Sequence, residues 1–188
     1  MASTRGRMSR FLRPRIEAVG LEIGTSALKV VELRQGNPPS LAALGIRPMP
    51  PGLVQDDQII DAPGLAAEVR ALFDEAGIRK RHVVSAVSNR QAITRNIMVP
   101  KMTLQELEEA IKWEAERYIP FPIDEVELDF YVLDNPDDVS EGGQLEDVIA
   151  AARLDLLTQQ VETLRLAGLE PVVIDIKPFS LLRSLKGA

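Results

Sequence analysis

At 188 residues, with 45% hydrophobic and 27% charged residues, the chain is the size of one domain or of a small domain carrying an insertion. It has no cysteine and His82 is its single histidine, which excludes disulfides, thiolate metal centres and histidine-based metal clusters. The charge is divided: residues 1–16 carry five arginines and no acid, while the rest holds 17 basic against 28 acidic residues, a body too acidic for a nucleic-acid groove.

The opening arm, Arg5, Arg7, Arg10, Arg13 and Arg15 with Met8, Phe11 and Leu12 among them, reads as a disordered tail over residues 1–17. The same pattern also fits contact with an anionic membrane surface. It lacks the apolar stretch of a secretory signal, and no apolar run anywhere approaches the roughly 20 residues of a membrane span.

Two apolar runs, 19–23 and 28–33, then flank Gly24-Thr25-Ser26 and predict a β-hairpin. Gly24 allows a close backbone approach, Thr25 and Ser26 add hydroxyls beside turn N–H groups, and Lys29 stands near the mouth. Such a set suits a polyphosphate, although spacing alone does not separate it from an ordinary hairpin turn. After the turn signal at 35–39, residues 40–47 predict a third strand, and Pro48, Pro50 and Pro51 open an extended connection through Asp61. Leu65, Val69, Leu72, Phe73 and Ala76 share one face of a helix over 63–77, with Pro63 in its first turn and Gly77 at its end. Residues 82–87 form an apolar strand of the buried kind, with His82 at its solvent end.

Residues 92–99 predict a strand broken by Pro100, and 103–118 the clearest helix. Thr103 and Glu106 make a capping box, and Leu104, Leu107, Ile111, Ala115 and Tyr118 an apolar stripe. From 125 to 132 acidic and apolar residues alternate, as on a strand with one solvated face, and 135–143 is an acidic loop. The remainder predicts a strand at 147–153, a helix at 154–167 with Leu157, Val161 and Leu164 inward, a strand at 172–176 and a helix from Pro178. This order predicts a right-handed parallel crossover. Residues 18–89 and 145–188 thereby read as one α/β core, with an inserted subdomain at 90–144.

These features resemble the PilM family of actin-like type IV pilus assembly proteins. The resemblance rests on Gly20-Leu21-Glu22-Ile23-Gly24-Thr25-Ser26 and on Ala86-Val87-Ser88 followed by Arg95 and Pro100. Its most specific block is Glu114-Ala115-Glu116-Arg117-Tyr118-Ile119-Pro120-Phe121-Pro122 leading into Glu125-Val126; Ala150-Ala151-Arg153 and Ala167-Gly168-Leu169-Pro171 before Asp175 match as well. It implies the first lobe of the actin-like (ribonuclease H-like) α/β fold with an inserted small α+β subdomain, and a second lobe absent from this sequence.

The family resemblance further implies ATP and Mg as ligands, with Gly24, Thr25, Ser26 and Lys29 as the first phosphate loop and Glu22 facing the metal through water. Asp175 is a second candidate for metal or water, and equally a cap for the helix that follows. Because the second phosphate loop and adenosine pocket belong to the second lobe, ATP binding by this chain is expected to be weak or absent. The implied partner is the cytoplasmic N-terminal peptide of a PilN-type inner-membrane protein, with a PilO-type protein reached indirectly, at the cytoplasmic face of the membrane. Ile97, Trp113, Tyr118, Ile119 and Phe121 are the candidate partner-binding residues, each with core packing as the alternative, and for Ile97 and Ile119 core packing is the favoured reading. The competing function is an actin-like ATPase or phosphotransferase, for which the sequence offers no clear catalytic base beyond Asp175.

Overall fold

The computed structural model of the chain describes residues 17–88, 92–133 and 142–186. The basic arm at 1–16, Asn89, most of the acidic loop expected at 135–143 and the side chain of Leu104 lie outside the described residues. In chain order the elements are β1 (Val19–Ile23), β2 (Ala27–Arg34), β3 (Ser40–Pro48), β4 (Val54–Gln55), β5 (Gln58–Ile59), α1 (Ala62–Glu75), β6 (His82–Val87), β7 (Ala92–Pro100), α2 (Leu104–Ala115), β8 (Val126–Val132), β9 (Gln144–Arg153), α3 (Leu154–Leu166), β10 (Glu170–Ile176) and α4 (Lys177–Lys186). They fall into two compact units, a larger one of 17–88 with 155–186 and a smaller one within 92–154.

The larger unit is built on a five-stranded sheet in the order β10-β6-β1-β2-β3. β1 and β2 form the predicted hairpin, with Glu22 opposite Lys29 and Ile23 opposite Leu28. β6 runs parallel to both β1 and β10, so the carboxyl ends of these three strands lie together. Leu21, Leu28 and Val30 share a buried cluster with Leu65, Val69, Leu72 and Phe73 of α1 and Leu164 of α3. Each such side chain contributes about 1.5–3 kcal/mol by leaving water. α1 starts where Asp61 accepts a hydrogen bond from the Gly64 N–H at 3.0 Å and stops at Gly77, whose φ of +69° suits glycine. It seats on β3 because residue 45 is glycine: a Cβ there would lie 2.8 Å from Leu72 Cδ1 and 3.0 Å from Val30 Cγ1.

Two details depart from the sequence reading. The stretch expected to be extended contains the small hairpin β4–β5, turned by Asp56 and Asp57 at φ 51° and 66°. On α3 the buried face is Gln160, Thr163 and Leu164, with Leu157 and Val161 half-buried. Gln160 is tolerated there because its Nε2 donates to Ser85 Oγ at 2.9 Å.

The smaller unit is a three-stranded antiparallel sheet, β7-β9-β8, with α2 packed on it. Ile97, Val99, Leu107, Ile111, Ala115, Ile119, Val126, Leu145 and Ile149 are its core. The capping box forms as predicted: Thr103 Oγ1 accepts from the Glu106 N–H at 3.3 Å, and Glu106 accepts from the Thr103 N–H at 2.8 Å. β9 corrects the expected domain boundary at 144/145. It is the central strand here, paired with β7 on one side and β8 on the other, rather than a strand of the larger sheet. The expected crossover from 147–153 to 172–176 is therefore not made, and the parallel pairs are β1–β6 and β6–β10 instead. An apolar run with small residues reads as a buried strand, but which sheet it joins is set by distant partners.

Candidate functional site

The β1–β2 turn stands at the carboxyl ends of the parallel strands, the edge where open α/β sheets bind ligands. The Gly24 N–H donates to Ala27 O at 3.1 Å, and a Cβ on Gly24 would sit 2.9 Å from that same oxygen, so the turn needs glycine. Thr25 and Ser26 are exposed at the tip, and the Met49 N–H donates to Ser26 O at 3.0 Å, tying the turn to the chain beyond β3.

Lys29 donates across the hairpin to Glu22 Oε2 at 3.0 Å. The other oxygen of Glu22 lies 3.4 Å from Lys177 Nζ, and Lys177 also donates to Ile23 O at 3.2 Å. Glu22 is thus bracketed by two ammonium groups. Partial burial alone pushes its carboxyl up, and the Lys29 hydrogen bond with the charges of Lys177 and Lys29 outweighs this, holding it below the usual carboxylate range. Lys177 is a residue that the sequence reading missed. The signal for it was a lysine directly after an apolar strand, at the strand end where Asp175 was already singled out.

Beside Lys177 lies a cavity of about 20 Å³ bordered by Ile23, Asp57, Ser88, Gln159 and Gln160, room for about one water. Ser88 Oγ donates to Asp57 Oδ2 at 3.0 Å on its wall.

Asp175 does not join Glu22. Its Oδ1 accepts from the Ile176 N–H at 2.8 Å, and its Oδ2 accepts from Ser180 Oγ and from the Arg183 guanidinium. Among the described residues no three acidic, histidine or cysteine side chains converge on a metal-sized centre. Around the turn, the exposed Thr25 and Ser26 and the two lysines have the chemistry for a phosphate, while the Gly24 N–H is taken by Ala27 O. The carboxylates do not fit a divalent cation, since both are already neutralised by basic side chains.

The candidate partner residues lie in the smaller unit and divide in two. Trp113 is 72% exposed, in a shallow depression with Glu109, Lys112, Glu116 and Ile123. Tyr118 and Phe121 are exposed as well, and the Arg153 guanidinium stacks 5.7 Å from the Phe121 ring centre. Ile97 and Ile119, the two candidates for which core packing is the favoured reading of the sequence, are 3% and 5% exposed and belong to the core. The alternation of β7 turns Ile97 and Val99 inward and leaves Met98 outside at 53% exposure. Met98 and Tyr131, both exposed, were not singled out in the sequence, although this alternation pointed to them. Among the described residues no helix is long and apolar enough to cross a membrane.

Comparison with known proteins bears on both units. The family profile of the type IV pilus assembly protein PilM matches residues 20–187. A chain of the solved PilM–PilN type IV pilus biogenesis complex is 55% identical, with a TM-score of 0.85, over 92% of this chain and 51% of that one. The cytoplasmic domain of EpsL, an inner-membrane component of the type II secretion system of Vibrio cholerae, shares the fold at 15% identity and a TM-score of 0.53, covering 84% of this chain and 56% of that one. The fold is the mixed α/β fold of one lobe of the actin-like group, and the chain spans about half the length of the structures it matches.

Proposed function

The chain belongs to the PilM family of type IV pilus assembly proteins, and on that premise we propose that it is a binding module for the N-terminal cytoplasmic segment of a PilN-type inner-membrane protein. It works at the cytoplasmic face of the inner membrane, held there through that partner, which also links it to a PilO-type protein. The observation that carries this reading is 55% identity over 92% of the chain with a protein solved in a PilM–PilN complex. Trp113, Tyr118 and Phe121 support it, because exposed aromatic side chains are the usual anchors of peptide recognition. The test is a fluorescence-anisotropy titration of a labelled PilN-type N-terminal peptide against the chain, with a scrambled peptide as control. Saturable binding of the native peptide alone is expected, and no binding removes the proposal.

For the nucleotide we propose that these residues bind ATP only weakly. The turn offers two lysines to the phosphates, and the cavity beside it has room for about one water. Calorimetry is expected to show no affinity in the micromolar range; a micromolar constant overturns this. Phosphate release is expected to be the same with and without Lys29→Ala.

A further inference from the structure

We propose that the β1–β2 turn takes a polyphosphate directly on Lys29 and Lys177, without a divalent cation. The inference rests on the reading of Gly24, Thr25 and Ser26 as a phosphate loop and goes beyond it in naming the second lysine and removing the metal.

The geometry of Glu22 is the argument. Each lysine ammonium has three N–H donors. Lys29 uses one on Glu22 Oε2, and Lys177 uses its own on Ile23 O and Glu22 Oε1. Donors therefore remain on both ammonium groups, and these can bond phosphate oxygens while Glu22 keeps them at the turn. Two lysines against one carboxylate leave the trio with a net positive charge. The three contacts come from β1, β2 and the start of α4, so the arrangement is set by the sheet and not by a mobile loop.

A magnesium ion reached through water would need the Glu22 oxygens to accept from its coordinated waters. Both oxygens already have an ammonium group, at 3.0 and 3.4 Å, so those waters would compete with two lysines and the double charge would be repelled by both. Asp175, the other carboxylate at these strand ends, is held by Ser180 and Arg183. The neutralising charge for a bound phosphate chain is therefore supplied by the protein itself, and Glu22 acts as the positioning residue for both lysines.

The experiment titrates the whole 188-residue chain, isotope-labelled, with sodium tripolyphosphate in EDTA and again in excess Mg²⁺, following the amide signals of Gly24, Thr25 and Ser26. Saturable shifts centred on the turn are expected in EDTA, with affinity no greater when Mg²⁺ is added. Lys177→Gln is expected to weaken binding roughly tenfold through loss of a charge-assisted hydrogen bond, while Lys177→Arg, which keeps the charge, retains it. A thermal melt confirms that each variant is folded. Shifts that need Mg²⁺, or unchanged binding by Lys177→Gln, overturn the inference and leave the phosphate loop standing. No shift at the turn in either condition overturns the phosphate-loop reading, and the inference with it.

Discussion

Ile119→Ala separates core from interface within the block Tyr118-Ile119-Pro120-Phe121. Ile119 is 5% exposed and sits in the cluster beneath α2, its N–H donating to Ala115 O at 2.9 Å. The substitution removes three carbons, and at about 0.8 kcal/mol per buried methylene the transfer loss is about 2.4 kcal/mol. The space left behind raises this to about 3 kcal/mol, inside the range for large-to-small core changes. Urea unfolding followed by Trp113 emission reports on this unit specifically, because Trp113 is the single tryptophan of the chain and lies on α2. With a slope of about 1.5 kcal/mol per molar, the midpoint falls by about 2 M. Tyr118→Ala, at an exposed neighbour, costs about 1 kcal/mol or less and weakens the peptide instead. An Ile119→Ala variant that loses less than about 1 kcal/mol yet no longer binds the peptide refutes the assignment and returns Ile119 to the interface.

Thr103→Ala removes the N-terminal acceptor of α2 and is expected to cost about 1 kcal/mol in the same urea assay. Gly45→Val forces a side chain against Leu72 and Val30, and is expected to cost about 1–3 kcal/mol, read as a lowered melting temperature. Glu22 titrates below its ordinary value of 4.5 in the folded chain, so its contribution is present above that value and is lost as pH falls through the depressed one. Melting curves across the acid range are expected to show a shallower acid limb for Glu22→Gln than for the parent chain.

Local chemistry was legible in the sequence, and partner choice was not. The hairpin around Gly24, the capping box of Thr103 and Glu106, and the terminators Gly77 and Gly168 all announce themselves within a few residues. β9 shows the limit: its composition marks a buried strand, but two flanking strands, one of them more than 40 residues earlier, decide its sheet. Lys177 shows the same limit at the site. It reaches Ile23 O across 154 positions of sequence, a contact made only once β10 has paired with β6 and β6 with β1. The Asp56-Asp57 turn was hidden for a different reason, since two aspartates at positive φ lack the glycine that usually marks such a hairpin.

Each unit has its own buried cluster, with Leu28, Leu72 and Phe73 in the larger and Leu107, Ile111 and Ile149 in the smaller. The two proposed functions fall on different units: the lysines and turn on the larger, the exposed aromatic residues on the smaller. Groups that share no partner and no core contribute additively. Trp113→Ala is therefore expected to weaken the PilN-type peptide and leave the tripolyphosphate shifts at Gly24 intact, while Lys177→Gln does the reverse. The double variant is then expected to show, in each titration, only the loss of the single variant that acts there. A loss in either titration that departs from that single variant's by more than about 0.5 kcal/mol measures a coupling between anion and peptide, and refutes the separation argued from the two cores.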